Sequence, residues 1–195
     1  MIKSVNLSNT GIHDSFCIAL GLTMGTHSSL EAVNVSMNGL TDEGGKQLAL
    51  GLKSGRFMTS INLNHTKVKA KTIKQILEVA AKKGKPHRIE MAHVPLSSEV
   101  VELLCETLQR SGAAGVYRVL DMHATQLKTK SVNMIFSALT TNATLTSLSI
   151  GGNGVDKTSL SVLQSALRNN SSLQTLSLKS LDCGSVRELF NGECG

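Results

Sequence analysis

Asp121 and His123 stand two residues apart, the spacing at which an extended chain turns both side chains to one face. A carboxylate beside an imidazole is the raw material of general-base chemistry, and a neighbouring strand would add Glu90. No serine or cysteine nucleophile accompanies them, so the group reads as a polar patch rather than a catalytic dyad. His65 and His93 form a second candidate. Two such imidazoles on adjacent strands could bind a metal or sense pH, yet without a third carboxylate or thiolate in register they make a poor metal site. They are expected to be solvated loop side chains. Phosphate-loop, zinc-protease and nucleophile-elbow motifs are all missing, and Gly151-Gly152-Asn153-Gly154 fits a strand exit better than a nucleotide cradle. No catalytic residue, metal, cofactor or small-molecule substrate is therefore expected.

The four cysteines, Cys17, Cys105, Cys183 and Cys194, follow no Cys-x-x-Cys or zinc spacing and read as reduced thiols. Cys17 and Cys105 sit among aliphatic neighbours, where a free thiol packs as a small hydrophobe. Met1 to Leu7 lacks the charged start and apolar run of a signal peptide, and no apolar run is long enough to cross a bilayer. The expectation is a cytoplasmic protein, with room for association with the cytoskeleton or a large assembly. The six Asn-x-Ser/Thr sequons, at Asn6, Asn34, Asn64, Asn142, Asn169 and Asn170, then read as accidents of composition.

Basic charge is concentrated. Lys67, Lys69, Lys71, Lys74, Lys82, Lys83, Lys85 and Arg88 lie together against Glu78 alone, whereas the whole chain carries a formal net charge of only +6. One reading is a site for an acidic or phosphate-rich partner. The other is a solvated face whose late lysines favour a helix C-terminus. With no Trp, one Tyr and four Phe, the chain has no platform on which nucleic-acid bases could stack. RNA is thus the alternative partner and protein the first.

These side chains must be positioned by a repeat. The apolar pattern L-x-x-L-x-L, at positions 1, 4 and 6 with another aliphatic residue or Cys at position 11, begins at residues 2, 30, 58, 86, 117, 145 and 173. The starts are 28 residues apart except between 86 and 117, where the three additional residues fall in the small, flexible Ser111–Gly115 stretch. After position 11 the apolar period changes from two to roughly 3.6, as at Leu160, Leu163, Ala166 and Leu167. Each unit is thus strand, loop and helix. Asp42, Ser98 and Asp156 are placed to cap helix starts, while Asn142, Asn169 and Asn170 follow helix ends, where left-handed residues are tolerated. Stacked units pair their strands in a parallel sheet with helices outside.

Leu30 to Leu40 (LEAVNVSMNGL) and Leu145 to Val155 (LTSLSIGGNGV) keep an Asn at position 9, Asn38 and Asn153. In this the chain resembles the ribonuclease-inhibitor-like leucine-rich-repeat family, whose 28-residue unit reads L-x-x-L-x-L-x-x-N-x-L followed by a helix. The resemblance implies an α/β right-handed solenoid over residues 1–195, with the parallel sheet concave and the helices convex. Elsewhere position 9 is Thr10, Thr66, Val94, Thr125 or Leu181, which breaks the Asn ladder. Gln126-Leu127-Lys128-Thr129 and Asn142-Ala143-Thr144-Leu145 are similar to repeats of the actin-regulatory capping-protein and myosin-I linkers. Tropomodulin-like, NOD-like-receptor and Ran GTPase-activating repeats share the same unit. The first and last repeats lack polar caps, which is expected of a segment of a longer array or a subunit capped by neighbours.

On such a solenoid positions 3, 5 and 7 face the concave side. There the ends are small and neutral, and charge gathers in the middle at Arg88, Glu90, Asp121 and His123, flanked by Asn34, Asn62 and Ser149. The expected function is a non-enzymatic protein-binding scaffold using these residues. Two alternatives are a ribonucleoprotein subunit contacting RNA through residues 67–88 and a GTPase activator of the Ran type. The latter would place Lys67 and Gln126 at strand exits but offers no suitable arginine.

Overall fold

The computed structural model describes residues 1–110 and 116–180. Seven strands, β1 (Ser4–Asn6), β2 (Ala32–Asn34), β3 (Ser60–Asn62), β4 (Arg88–Glu90), β5 (Val119–Asp121), β6 (Ser147–Ser149) and β7 (Thr175–Ser177), alternate with six helices. The helices are α1 (Asp14–Thr26), α2 (Asp42–Ser54), α3 (Ala70–Lys83), α4 (Ser98–Leu108), α5 (Thr129–Leu139) and α6 (Lys157–Asn169). The strands pair parallel in chain order. Val5, Val33, Ile61, Ile89, Leu120, Leu148 and Leu176 align as one row, so the register holds across the longer fourth repeat. The insertion at 111–115 lies outside the described residues, as do Cys183 at the seventh position 11 and Cys194.

Alternation decides which side of each strand is dry. Val33, Ile61, Ile89, Leu120 and Leu148 are buried against the helices, while their neighbours on either side stay accessible to varying degrees. Met91 and Met122, like Cys17 and Cys105, belong to this core. Burial pushes both thiols up to about 11, with Asp14 and Glu102 respectively adding to the effect. Helices need 8–10 Å between axes and strands under 5 Å, so the helical layer is the longer arc and the sheet the concave one.

The strand exits share one conformation. Position 8 has positive φ in every repeat: Asn9, Met37, His65, His93, Ala124, Gly152 and Ser180 lie between 52° and 69°. The turn is tied by position 9. Asn38 donates to the carbonyls of Leu7 (2.7 Å) and Val35 (3.0 Å) and accepts from the amides of Thr10 and Ile12. Asn153 does the same for Met122, Ile150, Thr125 and Leu127. The threonines do not extend this tie between repeats: Thr10, Thr66 and Thr125 donate their hydroxyls to the carbonyls of Leu7, Leu63 and Met122, three residues back in their own repeats, so the Asn ladder is interrupted at these positions.

Several side chains expected to act within their own repeat act on the next one. Asp156 does cap α6, accepting from the Ser159 amide at 2.8 Å. Asp42, however, is not a cap. Thr41 holds that place, and the Asp42 carboxylate accepts from the Lys69 amide (2.8 Å) and the Thr72 hydroxyl (2.6 Å) of the following repeat. Burial pushes its pKa up, but these two bonds and the charges of Lys69 and Lys46 hold it below the ordinary value. Asp14 grips Thr41 in the same way. The cap of α4 is Ser97 rather than Ser98, with no side-chain bond.

Asn142, Asn169 and Asn170 are not left-handed. Asn142 is buried, donates to the Leu108 carbonyl of the preceding repeat at 2.7 Å and accepts from the Thr144 and Leu145 amides. Asn170 reaches back to the Leu139 carbonyl at 2.7 Å and accepts from Ser172 and Leu173. These two asparagines are therefore rungs of a structural ladder between repeats. A further seam joins α1 to α2, where a Cβ at Gly21 would meet the Gln47 carbonyl oxygen at 2.4 Å, so only glycine allows the approach.

Candidate protein-interaction surface

The exits of β3, β4 and β5 bring the central concave residues together. Arg88 Nη2 donates to Glu90 Oε1 at 2.8 Å, and that hydrogen bond, opposed by desolvation, holds the guanidinium above its ordinary pKa. Asn64 Oδ1 accepts from the Ala92 amide at 2.6 Å, while its Nδ2 donates to Asp121 Oδ2 at 3.1 Å. One side chain thereby spans three repeats. Asp121 Oδ1 takes the amide of His123 at 3.2 Å. Among the described residues no hydrogen bond joins this carboxylate to an imidazole.

Position 5 repeats a local motif. Asn6, Asn34 and Asn62 accept the amides of Ser8, Ser36 and Asn64 at 2.9–3.0 Å, and Asp121 does so for His123. These are Asx turns, which fix the short side chain against its own backbone. Asn34 and Asn62 are therefore rigid elements of the face, and Ser149 is a half-buried neighbour on β6. Glu90, with a longer chain, turns to Arg88 instead.

His65 and His93 are exposed and His123 half-buried, and the three are not independent. His65 and His93 stack with ring centroids 4.0 Å apart at 22°, closer than the strand spacing alone requires, and His123 meets His93 edge-on at 5.4 Å. Burial lowers the pKa of His93, His65 and His123 lower it further, and Asp121 opposes them. Nδ1 of His123 is buried without a hydrogen-bond partner. Rings meeting by faces and edges do not aim their nitrogens at a common point. Among the described residues no three His, Cys, Asp or Glu side chains form a group able to hold a metal.

The basic window divides. Lys67, Lys69 and Lys71 are exposed around the start of α3. Lys74 pairs with Glu99 at 3.1 Å. Lys83 is exposed, but its ammonium is engaged, donating to the carbonyls of Leu52 (2.9 Å), Lys53 (3.0 Å) and Gly55 at the end of α2. Desolvation and then Lys85 lower its pKa. Lys82 remains exposed, and Lys46 and Lys53 of α2 lie across a groove from it. The window is thus not one continuous basic track. Sequence reasoning missed Asn64, the third ring of the stack and the two α2 lysines; position 7 flagged the first, and helical spacing could have flagged the last.

A family profile described as leucine-rich repeat matches residues 26–49 and 141–163, the two repeats that keep the position-9 Asn. The chain has the leucine-rich-repeat fold. Its sequence is 28% identical over 209 residues to the NACHT, LRR and PYD domains-containing protein 14 of Mus musculus, covering 92% of this chain and 20% of that protein. It thus spans about a fifth of the length of that curated relative. Two solved structures share the fold. One is the actin-binding site 2 of leiomodin-1, with a TM-score of 0.52, 14% identity, and 86% of this chain and 80% of that one covered. The other is the tropomodulin C-terminal domain of Caenorhabditis elegans, with a TM-score of 0.56, 11% identity, and coverage of 87% and 84%. Among the described residues no helix is long and apolar enough to cross a membrane.

Proposed function

We propose that the chain is a non-enzymatic protein-binding scaffold, of the ribonuclease-inhibitor-like type, that docks its partner on the middle of the concave sheet. The observation that supports this is the polar cluster at the middle of the face, where Asn64 ties Asp121 to the Ala92 amide across three repeats, Asp121 accepts the His123 amide and Arg88 pairs with Glu90 beside them. Side chains ordered before docking cost less entropy on docking, and their charges set register. The leiomodin-1 segment of the same fold is named for binding actin, which makes actin the first partner to test. Calorimetry against monomeric actin should show binding by the native chain and at least a tenfold loss in the Glu90→Lys/Asp121→Lys double variant. Thermal melting of that variant controls for the lost Asx turn. Undiminished binding by the folded double variant would place docking elsewhere.

A further inference from the structure

The convex side carries a second candidate, unconnected with the concave network. Between α2 and α3 runs a groove of about 610 Å³ whose floor is Ala49, Leu50 and Val79 and whose rim holds Lys46, Lys53, Lys82 and Lys83 against Glu78 alone. The helices touch near their starts, where Gly45 admits the Thr72 methyl and Asp42 takes the Thr72 hydroxyl. Toward their ends Lys83 bridges the gap to the α2 carbonyls, and the groove lies beside that bridge. Lys46, Leu50 and Lys53 follow one another by four and three residues on α2, and Gln75, Val79 and Lys82 do so on α3. Each wall is therefore one helical stripe, about 10 Å long at 1.5 Å per residue.

Two features point to what fills it. Leu50 is 56% exposed, a large apolar side chain in water on a helix that is otherwise amphipathic. Lys46 is paired with Glu43 and Lys83 is spent on carbonyls, whereas Lys53 and Lys82 form no ion pair among the described residues. The corresponding groove between α4 and α5 has the opposite cast, with Glu102 and Glu106 on one wall and Lys130 on the other. An apolar floor between two unpaired cations on facing walls is complementary to a helix that carries a bulky apolar residue flanked by carboxylates one turn away on either side.

We propose that the α2–α3 groove is a docking site for an acidic amphipathic helix of a protein partner, with Leu50 and Val79 receiving its apolar anchor and Lys53 and Lys82 its carboxylates. This goes beyond the concave reading and uses none of its residues.

The probe is a fluorescein-labelled synthetic helix of three to four turns with leucine on one face and glutamate beside it, read by anisotropy at 50 mM salt. Its control is a peptide of the same composition with the apolar face scrambled. The native chain should bind the helix at least tenfold more tightly than the scrambled peptide. Lys53→Glu/Lys82→Glu and, separately, Leu50→Glu should each weaken it at least tenfold with unchanged melting, since all three side chains are exposed. Glu90→Lys/Asp121→Lys should bind the helix normally, so failure here and failure of the concave reading are separable. Equal affinity for the scrambled peptide would overturn the proposal, as would indifference to Leu50→Glu. Displacement of the helix by RNA or by phosphatidylserine vesicles in the native chain but not in Lys53→Glu/Lys82→Glu would equally overturn it.

Discussion

At His93 four influences act on one proton. Burial disfavours the charged ring, the stacked His65 and the edge-on His123 disfavour it further, and only Asp121 favours it. Its folded pKa therefore lies below the ordinary 6.5. As pH falls the unfolded chain takes up this proton first, so the stabilisation is complete above pH 6.5 and declines below it, until the folded ring protonates as well. Urea midpoints should accordingly fall between pH 7.5 and 5.5. His93→Asn, which suits the positive φ at that position, should flatten the profile. A native midpoint that does not move over this range would show that His93 takes up its proton as readily in the folded chain as in the unfolded one.

Among the elements, the helix ends show how each repeat holds its neighbour. The last turn of α2 leaves carbonyls without helical partners, and Lys83 supplies three donors to them from the next repeat. Lys83→Gln should lower stability by about 1–2 kcal/mol through lost capping and charge. Its exposed neighbour Lys82→Gln should change it by less than about 0.5 kcal/mol. Chemical denaturation of the two variants measures the contrast, and equal effects would mean that Lys83 is a solvated lysine like the other. Residue order made the strands legible because period-two burial repeats every 28 residues, and Val33 through Leu148 needed nothing more. It misjudged Asn142, Asp42 and Lys83 for one physical reason. Cap preferences describe a side chain and its own helix, whereas these three bond to backbone or hydroxyl groups 27–34 residues away. The concave charges were legible as residue types, but their cross-repeat pairing through Asn64 was not, since a position-7 asparagine carries no mark of the partner it will reach.

For the whole molecule, stability is a sum over rungs and the interfaces between them. Val5 of β1 and Leu176 of β7 are only partly buried, while the same row from Val33 to Leu148 is dry. Native-state hydrogen exchange should therefore show slow amides at Met91 and Met122, which bond across β4, β5 and β6, and faster ones at Leu7. Uniform protection along the row would indicate a single cooperative block instead. The sheet also keeps its rung alignment where one repeat is three residues longer than the rest. Pairing on the inner arc is thus unaffected by the three additional residues that the sequence places between α4 and Tyr117. That stretch is the natural place to splice a fluorescent reporter or an affinity handle, since additional residues there leave the spacing of every side chain on the concave face as it is.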